Sequence, residues 1–424
     1  MIRTQCHKGR VGTLAVLLAL LFSLQAAAAL AQGNIRLGRT QVDLGLKYEL
    51  RYVDNIYYES ANEEEDFIHI VTPSVDFAYN GSSPDNYFKT GYSVALAAYS
   101  DFDQNNYQSH HPYLDLSLKT PVGFYFKIYD GFLYTQDPYG SRNSYNLGVK
   151  TKRMDNTADV ALGYEFFNKY SVEALYRNYF IDYDLKEDEW QNRMDNRYGG
   201  AFYYHYSPKT FFLVEYRFTQ AEYDKQNDDL FDYSRGANWS ASKSQDYTKN
   251  DVFVGAKFNP GGKLGGAIRV GWGSKDYDNK TDILGKPYKD MDGWISETAF
   301  YWQALARTLW IVELGRSFEG SPDADAAGYI DTYFKLSLRQ GMANRLTGLL
   351  GFEYNNNDYE NEAAGRPKKE FDIYGVTAGL EYEIQKWLTT SLQWEYQTKE
   401  ASDGLYPTQE YDRNVVKFVI DSKF

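Results

Sequence analysis

Few residues in this chain could do acid–base or nucleophilic chemistry. Downstream of residue 31 the histidines are His69, His110, His111 and His205, and the single cysteine is Cys6. A serine nucleophile needs a base within hydrogen-bond reach and a third group that orients the base. Ser109 precedes His110, but adjacent residues on a strand point to opposite faces. The sequence holds no glycine-rich phosphate loop, nucleophile elbow or Cys/His metal spacing. No catalytic residue, cofactor or metal is expected, and a hydrolase is kept only as a remote alternative. The acidic runs Glu63-Glu64-Glu65-Asp66 and Asp228-Asp229 to Asp232 could hold divalent cations weakly through oxygen. They lack the spacing of a dedicated calcium loop and read as a solvated acidic face.

A second kind of chemistry comes from charges set at every other position. In 42–52, Val42, Leu44, Leu46, Tyr48, Leu50 and Tyr52 share one face, while Asp43, Lys47, Glu49 and Arg51 share the other. This is strict period-2 alternation, the pattern of a strand with one apolar and one polar face. The same polar parity collects Lys127, Glu173, Arg177, Glu215, Arg217, Lys257, Arg269, Lys335, Arg339, Glu395 and Lys417. Lys47, Glu49, Arg51, Lys127, Glu173, Arg177, Glu215, Arg217, Arg269, Lys335, Arg339 and Glu395 are the candidates for lining a wet interior. The competing reading for each is a cross-strand ladder with no ligand.

The elements that carry these residues must be many short strands. Aromatics make up 17% of the chain, with 40 Tyr, and the mean hydropathy is −0.59. That average excludes a polytopic helical membrane protein, which needs repeated apolar runs of about 20 residues. Strand centres are expected near Leu46, Val71, Ala95, Leu116, Ile128, Leu162, Ala174, Phe202, Val214, Val254, Val270, Phe300, Val312, Phe334, Leu350, Val376, Leu392 and Phe418. Short connectors such as Asn168-Lys169 and Ser207-Pro208-Lys209 alternate with longer acidic ones such as 224–250 and 279–293. Short turns on one side and long loops on the other give an all-β, single antiparallel transmembrane barrel of about 18 strands. An even count puts both termini on the periplasmic side.

Residues 1–31 carry Arg3, Lys8 and Arg10, an apolar core from Val11 to Leu24, and Ala29-Leu30-Ala31. This is the layout of a secretory signal peptide cleaved near Ala31/Gln32. Residues 32–40 would form a short periplasmic segment and 41–424 the barrel, in the cell outer membrane. The formal charge is −13, or −16 without the leader, and no basic stripe suggests nucleic acid.

The apolar parity faces lipid on this reading. Tyr170, Trp294, Trp302, Trp310, Trp387 and Trp394 suit interfacial girdles. Asp130, Asn178 and Arg316 fall on the same parity. A bulge at Asp130-Gly131 would turn the carboxylate inward, and Asn178 and Arg316 should lie near the rim. The chain ends on an alternating strand through Phe418 to Phe424 that resembles the signal read by the outer-membrane assembly machinery. Ser422 departs from that pattern.

Tyr57-Tyr58-Glu59, Asp66-Phe67-Ile68-His69-Ile70-Val71-Thr72-Pro73 and the units Arg153-Met154-Asp155-Asn156 and Arg193-Met194-Asp195-Asn196-Arg197-Tyr198 carry a resemblance. They resemble the beta-barrel porin family that accompanies exopolysaccharide and capsule loci. The Arg-x-Asp-Asn units fall at the start of descending strands, where charges can cap the loop edge. The resemblance implies passage or anchoring of surface polysaccharide, with export-locus proteins, outer-membrane lipid and lipopolysaccharide as partners. It carries over no site residues. A porin-like channel is thus expected, and its tyrosines fit sugar contact. The alternative is a non-conducting surface or assembly protein whose acidic loops bind cations, lipopolysaccharide or a partner. If the barrel conducts, acidic loops at the mouth should favour cations.

Overall fold

A computed structural model of the chain describes residues 35–137, 151–184, 189–224, 245–258, 262–280, 288–321, 328–360, 368–402 and 406–424. The leader and the Asp228 to Asp232 run lie outside the described residues. The strands are β1 (Ile35–Leu37), β2 (Thr40–Val53), β3 (Asp66–Asn80), β4 (Tyr87–Tyr99), β5 (Tyr107–Lys119) and β6 (Phe124–Asp137). They continue as β7 (Thr151–Phe166), β8 (Tyr170–Tyr183), β9 (Arg193–Ser207), β10 (Thr210–Tyr223), β11 (Tyr247–Phe258) and β12 (Leu264–Tyr277). The last are β13 (Met291–Leu305), β14 (Thr308–Gly320), β15 (Gly328–Gly341), β16 (Leu346–Tyr359), β17 (Lys369–Gln385), β18 (Leu388–Ala401) and β19 (Tyr411–Lys423).

From β2 onward each strand pairs antiparallel with its neighbours in the chain, and β19 pairs with β2 from Val415↔Val53 to Lys423↔Gly45. The sheet therefore closes on itself as a ring of 18 strands, which leaves no free edge. The small β1 folds back on the start of β2, with Ile35 opposite Val42. Every strand centre expected from the alternation falls inside one ring strand.

Alternation fixes the faces. Val214, Leu350 and Leu392 are 53%, 58% and 54% exposed on the outer wall, whereas Glu215 on the inner face is 2% exposed. An exposed apolar band around a closed barrel is what a lipid environment stabilises. Prolines are placed where their missing N–H does least harm. Pro73 pairs with Leu46 on β2, and the β3–β4 ladder skips from Val71 to Ser74. Pro112 pairs with Tyr92 on β4, and the β5–β6 ladder skips from His110 to Tyr113.

The two ends of the barrel differ. At the turn end only two residues separate β9 from β10, β13 from β14 and β17 from β18. Gly123 turns β5 into β6 at φ +95, and a Cβ there would sit 2.4 Å from the Glu165 carbonyl oxygen. At the loop end the interior is filled. Ala221, Tyr247, Phe253, Tyr277, Met291, Ile295 and Phe318 pack into one buried cluster, and Val53, Ile56, Ile68, Ile70 and Tyr99 belong to another.

A charged lumen as the candidate functional site

The sequence candidates lie on the inner parity and divide into two walls. On β6–β13 a shared network around Glu215 and Glu297 stands beside simpler contacts. Glu215 accepts from Arg217 Nε at 2.5 Å and from Arg269 Nε at 3.1 Å. Arg217 also reaches Glu297 at 2.6 Å, and Arg269 reaches it at 3.3 Å. Arg177 forks onto Asp159 at 2.6 and 2.9 Å. Glu173 accepts from the Tyr203 hydroxyl at 3.2 Å. Lys127 Nζ stands over the Tyr125 ring at 5.0 Å.

On β15–β19 the charges pair one to one, and on β2 one carboxylate takes two neighbours along its own strand. Lys335 meets Glu353 at 3.5 Å, Arg339 meets Glu381 at 2.9 Å and Lys417 meets Glu395 at 2.6 Å. Glu49 takes Arg51 at 2.5 Å and Lys47 at 3.2 Å, all on β2. These are the cross-strand and same-strand ladders that any polar barrel face can form.

The loop-end half of the lumen adds cations over rings. Lys275 Nζ lies 4.1 Å from the Tyr247 centroid, and Lys399 Nζ lies 4.0 Å from that of Phe371. Such contacts offset part of the cost of burying an ammonium. A cavity of about 440 Å³ extends from β8–β9 across to β14–β15. Tyr179, Arg193, Arg197, Arg217, Glu297 and Tyr333 are among its lining residues. Arg197 and Glu297 were not among the sequence candidates. Each sits on the polar parity of its strand, so alternation alone could have found them.

Both Arg-x-Asp-Asn units do sit at strand starts. Arg153 bonds Asp155 at 3.0 Å and Arg193 bonds Asp195 at 3.3 Å, two residues on and on the same face. The asparagines serve the outer face, where Asn156 donates to Asp130 and Asn196 accepts from Tyr176.

That outer contact corrects one expectation. The β5–β6 and β6–β7 pairings run past Asp130 in a single register, so no bulge turns its carboxylate inward. Asp130 stays on the apolar parity and accepts from Asn156 Nδ2 at 3.0 Å. A hydrogen bond from the next strand meets the need that the bulge was to meet. Asn178 likewise donates to Asn196 at 3.0 Å. Arg316, four residues before the end of β14, lies over the Trp294 ring at 4.9 Å and donates to its carbonyl. The device recurs around the outer wall. The hydroxyls of Tyr176, Tyr216, Tyr354 and Tyr396 donate to Asn196, Asn250, Asp372 and Asp412, each at 2.7 or 2.8 Å.

Two serine–histidine pairs escaped the sequence reading. Ser109 Oγ lies 3.1 Å from His111 Nε2, two residues along one face, and Ser171 Oγ lies 3.0 Å from His205 Nε2 on the next strand. Among the described residues no carboxylate is hydrogen-bonded to either ring, so neither pair has the orienting group that nucleophilic catalysis needs. His69 faces outward and pairs with the Tyr48 hydroxyl at 2.9 Å; His110 pairs with that of Tyr92 at 2.6 Å.

The terminal strand is bound to the first ring strand through its last residue. Phe424 N–H donates to the Leu44 carbonyl at 2.8 Å, Leu44 N–H returns the bond at 3.0 Å, and the Phe424 ring packs on Trp387 at 5.2 Å. Phe418 pairs with Leu392 and Leu50. Ser422 is buried there and donates to the Leu46 carbonyl at 2.8 Å.

Residues 31–424 match the family model described as Putative beta-barrel porin 2. The chain belongs to that family. With its closed ring and apolar outer band, this porin-family barrel is an outer-membrane β-barrel of porin-like build. No curated protein matches it. Among solved structures it is similar to the outer membrane protein OpdK of Pseudomonas aeruginosa, at 9% identity and a TM-score of 0.45, covering 90% of this chain and 99% of that one. OccK3 (OpdO) of the same organism gives 10% identity and a TM-score of 0.44, covering 91% of this chain and 95% of that one.

Proposed function

We propose that this barrel is a channel through which surface polysaccharide passes. The supporting observation is the lumen. It holds charges of both signs and offers tyrosine rings such as Tyr125, Tyr203 and Tyr333 on its inner face. Sugar chains suit such a wall, because rings pack on sugar faces while hydroxyls exchange hydrogen bonds. On this proposal the leader is cleaved near Ala31/Gln32, the loops face outward, and the assembly machinery reads the strand ending in Phe424. Lipopolysaccharide meets the tyrosine-rich outer rim, and export-locus proteins supply the chain.

Proteoliposomes holding the purified barrel should swell in an isotonic oligosaccharide solution. Liposomes that keep their size would overturn the channel reading. One observation favours the second reading, a non-conducting surface protein. The loop-end interior is packed by Tyr247, Tyr277, Phe318 and their neighbours, as a closed barrel would be.

A further inference from the structure

We infer that the lumen wall of β6–β11 is a track for an anionic sugar chain, with Arg197 at its loop-end station and Lys127 with Lys257 at its turn-end station. The inference rests on the polysaccharide reading and names the charge of the chain.

It begins with a surplus of cations. On this wall Arg153, Arg177, Arg193, Arg217 and Lys249, and Arg269 on the adjoining β12, each have a carboxylate within 4.0 Å. Among the described residues Arg197, Lys127 and Lys257 have none. The Arg197 guanidinium makes one hydrogen bond, Nε to Thr219 Oγ1 at 3.3 Å. Lys127 and Lys257 stand over the rings of Tyr125 and Tyr203 at 5.0 and 5.5 Å. Moreover, Arg197 lies directly opposite Arg177 in the β8–β9 register. Like charges at that position oppose each other. Asp159 pairs with Arg177, whereas among the described residues no carboxylate comes within 4.0 Å of Arg197, and Asp251 and Glu297 act on it only from farther away.

Each station opens into space that a sugar could fill. Arg197 lines the cavity of about 440 Å³, within the range of ligand sites, beside Tyr179 and across from Tyr329 and Tyr333. Asp251 and Glu297 line the same cavity but are engaged by Lys249 and by Arg217 with Arg269, and Glu319 and Asp331 lie on the β14–β15 side, so an anion there is held toward the arginines of β9 and β10. Lys127 and Lys257 line a second, smaller cavity of about 170 Å³ with Tyr125 and Tyr203. A guanidinium or ammonium beside tyrosine rings suits a sugar that bears a carboxylate.

The spacing then selects a chain over a single sugar. Arg197 is opposite Thr219 of β10, and Lys257 is opposite Phe211 of the same strand, eight residues away. At about 3.3 Å per residue the stations are roughly 26 Å apart along the strand. One acidic monosaccharide cannot touch both, whereas an extended chain can, and occupancy of one station raises the effective concentration at the other.

The test is calorimetric titration of the folded barrel in detergent at low salt, with heat-modifiable migration used to establish folding of each variant. The probes are a galacturonate trimer, a galacturonate octamer and neutral malto-octaose. The galacturonate octamer should bind at least about tenfold more tightly than the trimer or malto-octaose. Arg197→Gln and Lys257→Gln should each lower octamer affinity by about tenfold, the loss of one charge-assisted contact, and Arg197→Lys should keep part of it. Malto-octaose binding as tightly as the acidic octamer, or wild-type octamer affinity in both glutamine variants, would overturn the track. The swelling assay reads the channel independently. A barrel that swells liposomes without charge discrimination loses only the track, and one that discriminates without swelling loses only the channel.

Discussion

The two walls of the lumen hold the same residue types and use them differently. On β15–β19 Lys335, Arg339 and Lys417 each have a carboxylate of their own, as with Lys417 and Glu395 at 2.6 Å, while Arg413 stands over the Tyr58 ring. On β7–β13 one carboxylate serves two arginines, since Glu215 binds both Arg217 and Arg269, and Arg197 is left over. One-to-one ladders need no ligand to explain them. A wall with shared carboxylates and a spare guanidinium beside a cavity is arranged to receive an anion. The contrast separates charges that hold the barrel from charges that can act on what passes through it.

The strongest way to break the ladder wall is at its seam. Deleting Phe424 removes both backbone bonds to Leu44 and the ring on Trp387. Heat-modifiable barrel in the outer membrane should fall to a small fraction of the wild-type level; normal levels would show that the seam closes without it. The next effect lies on the network wall. Glu215→Gln leaves Arg217 and Arg269 to share Glu297 alone, and breaking so buried a pair should cost about 3 kcal/mol in urea unfolding of the lipid-reconstituted protein. A much smaller effect lies on the ladder wall. Lys417→Met separates a partly exposed pair and should cost about 1 kcal/mol or less in the same assay. Equal losses for the two substitutions would erase the distinction between the walls.

The smallest expected effect is at the mouth. Glu63, Glu64 and Glu65 are exposed, with Glu65 accepting from the Tyr52 hydroxyl. Neutralising all three should move the reversal potential of the conducting barrel toward anions, and more so in dilute salt, because the screening length is about 10 Å at 0.1 M. An unchanged reversal potential would remove the mouth from the account.

Most of the fold was legible because a strand's period of two writes its faces directly into the sequence. From Leu46 to Phe418 each expected centre lies in a ring strand. What was not legible depends on neighbours across the sheet. Asp130 looked as if it needed a bulge because the sequence does not show Asn156 on the adjacent strand. Ser171 and His205 are 34 residues apart in the chain yet 3.0 Å apart in space. Arg197 was visible as a charge, but its lack of a carboxylate is a fact of register. Nothing in the residue itself distinguishes it from Arg217.

The most direct test of the central claim is single-channel recording of the purified wild-type barrel in a planar bilayer, with the galacturonate octamer added from the loop side. Stepwise ion currents are expected, which the octamer interrupts and malto-octaose at equal concentration leaves largely unbroken. Heat-modifiable, folded protein that gives no current steps would contradict the claim.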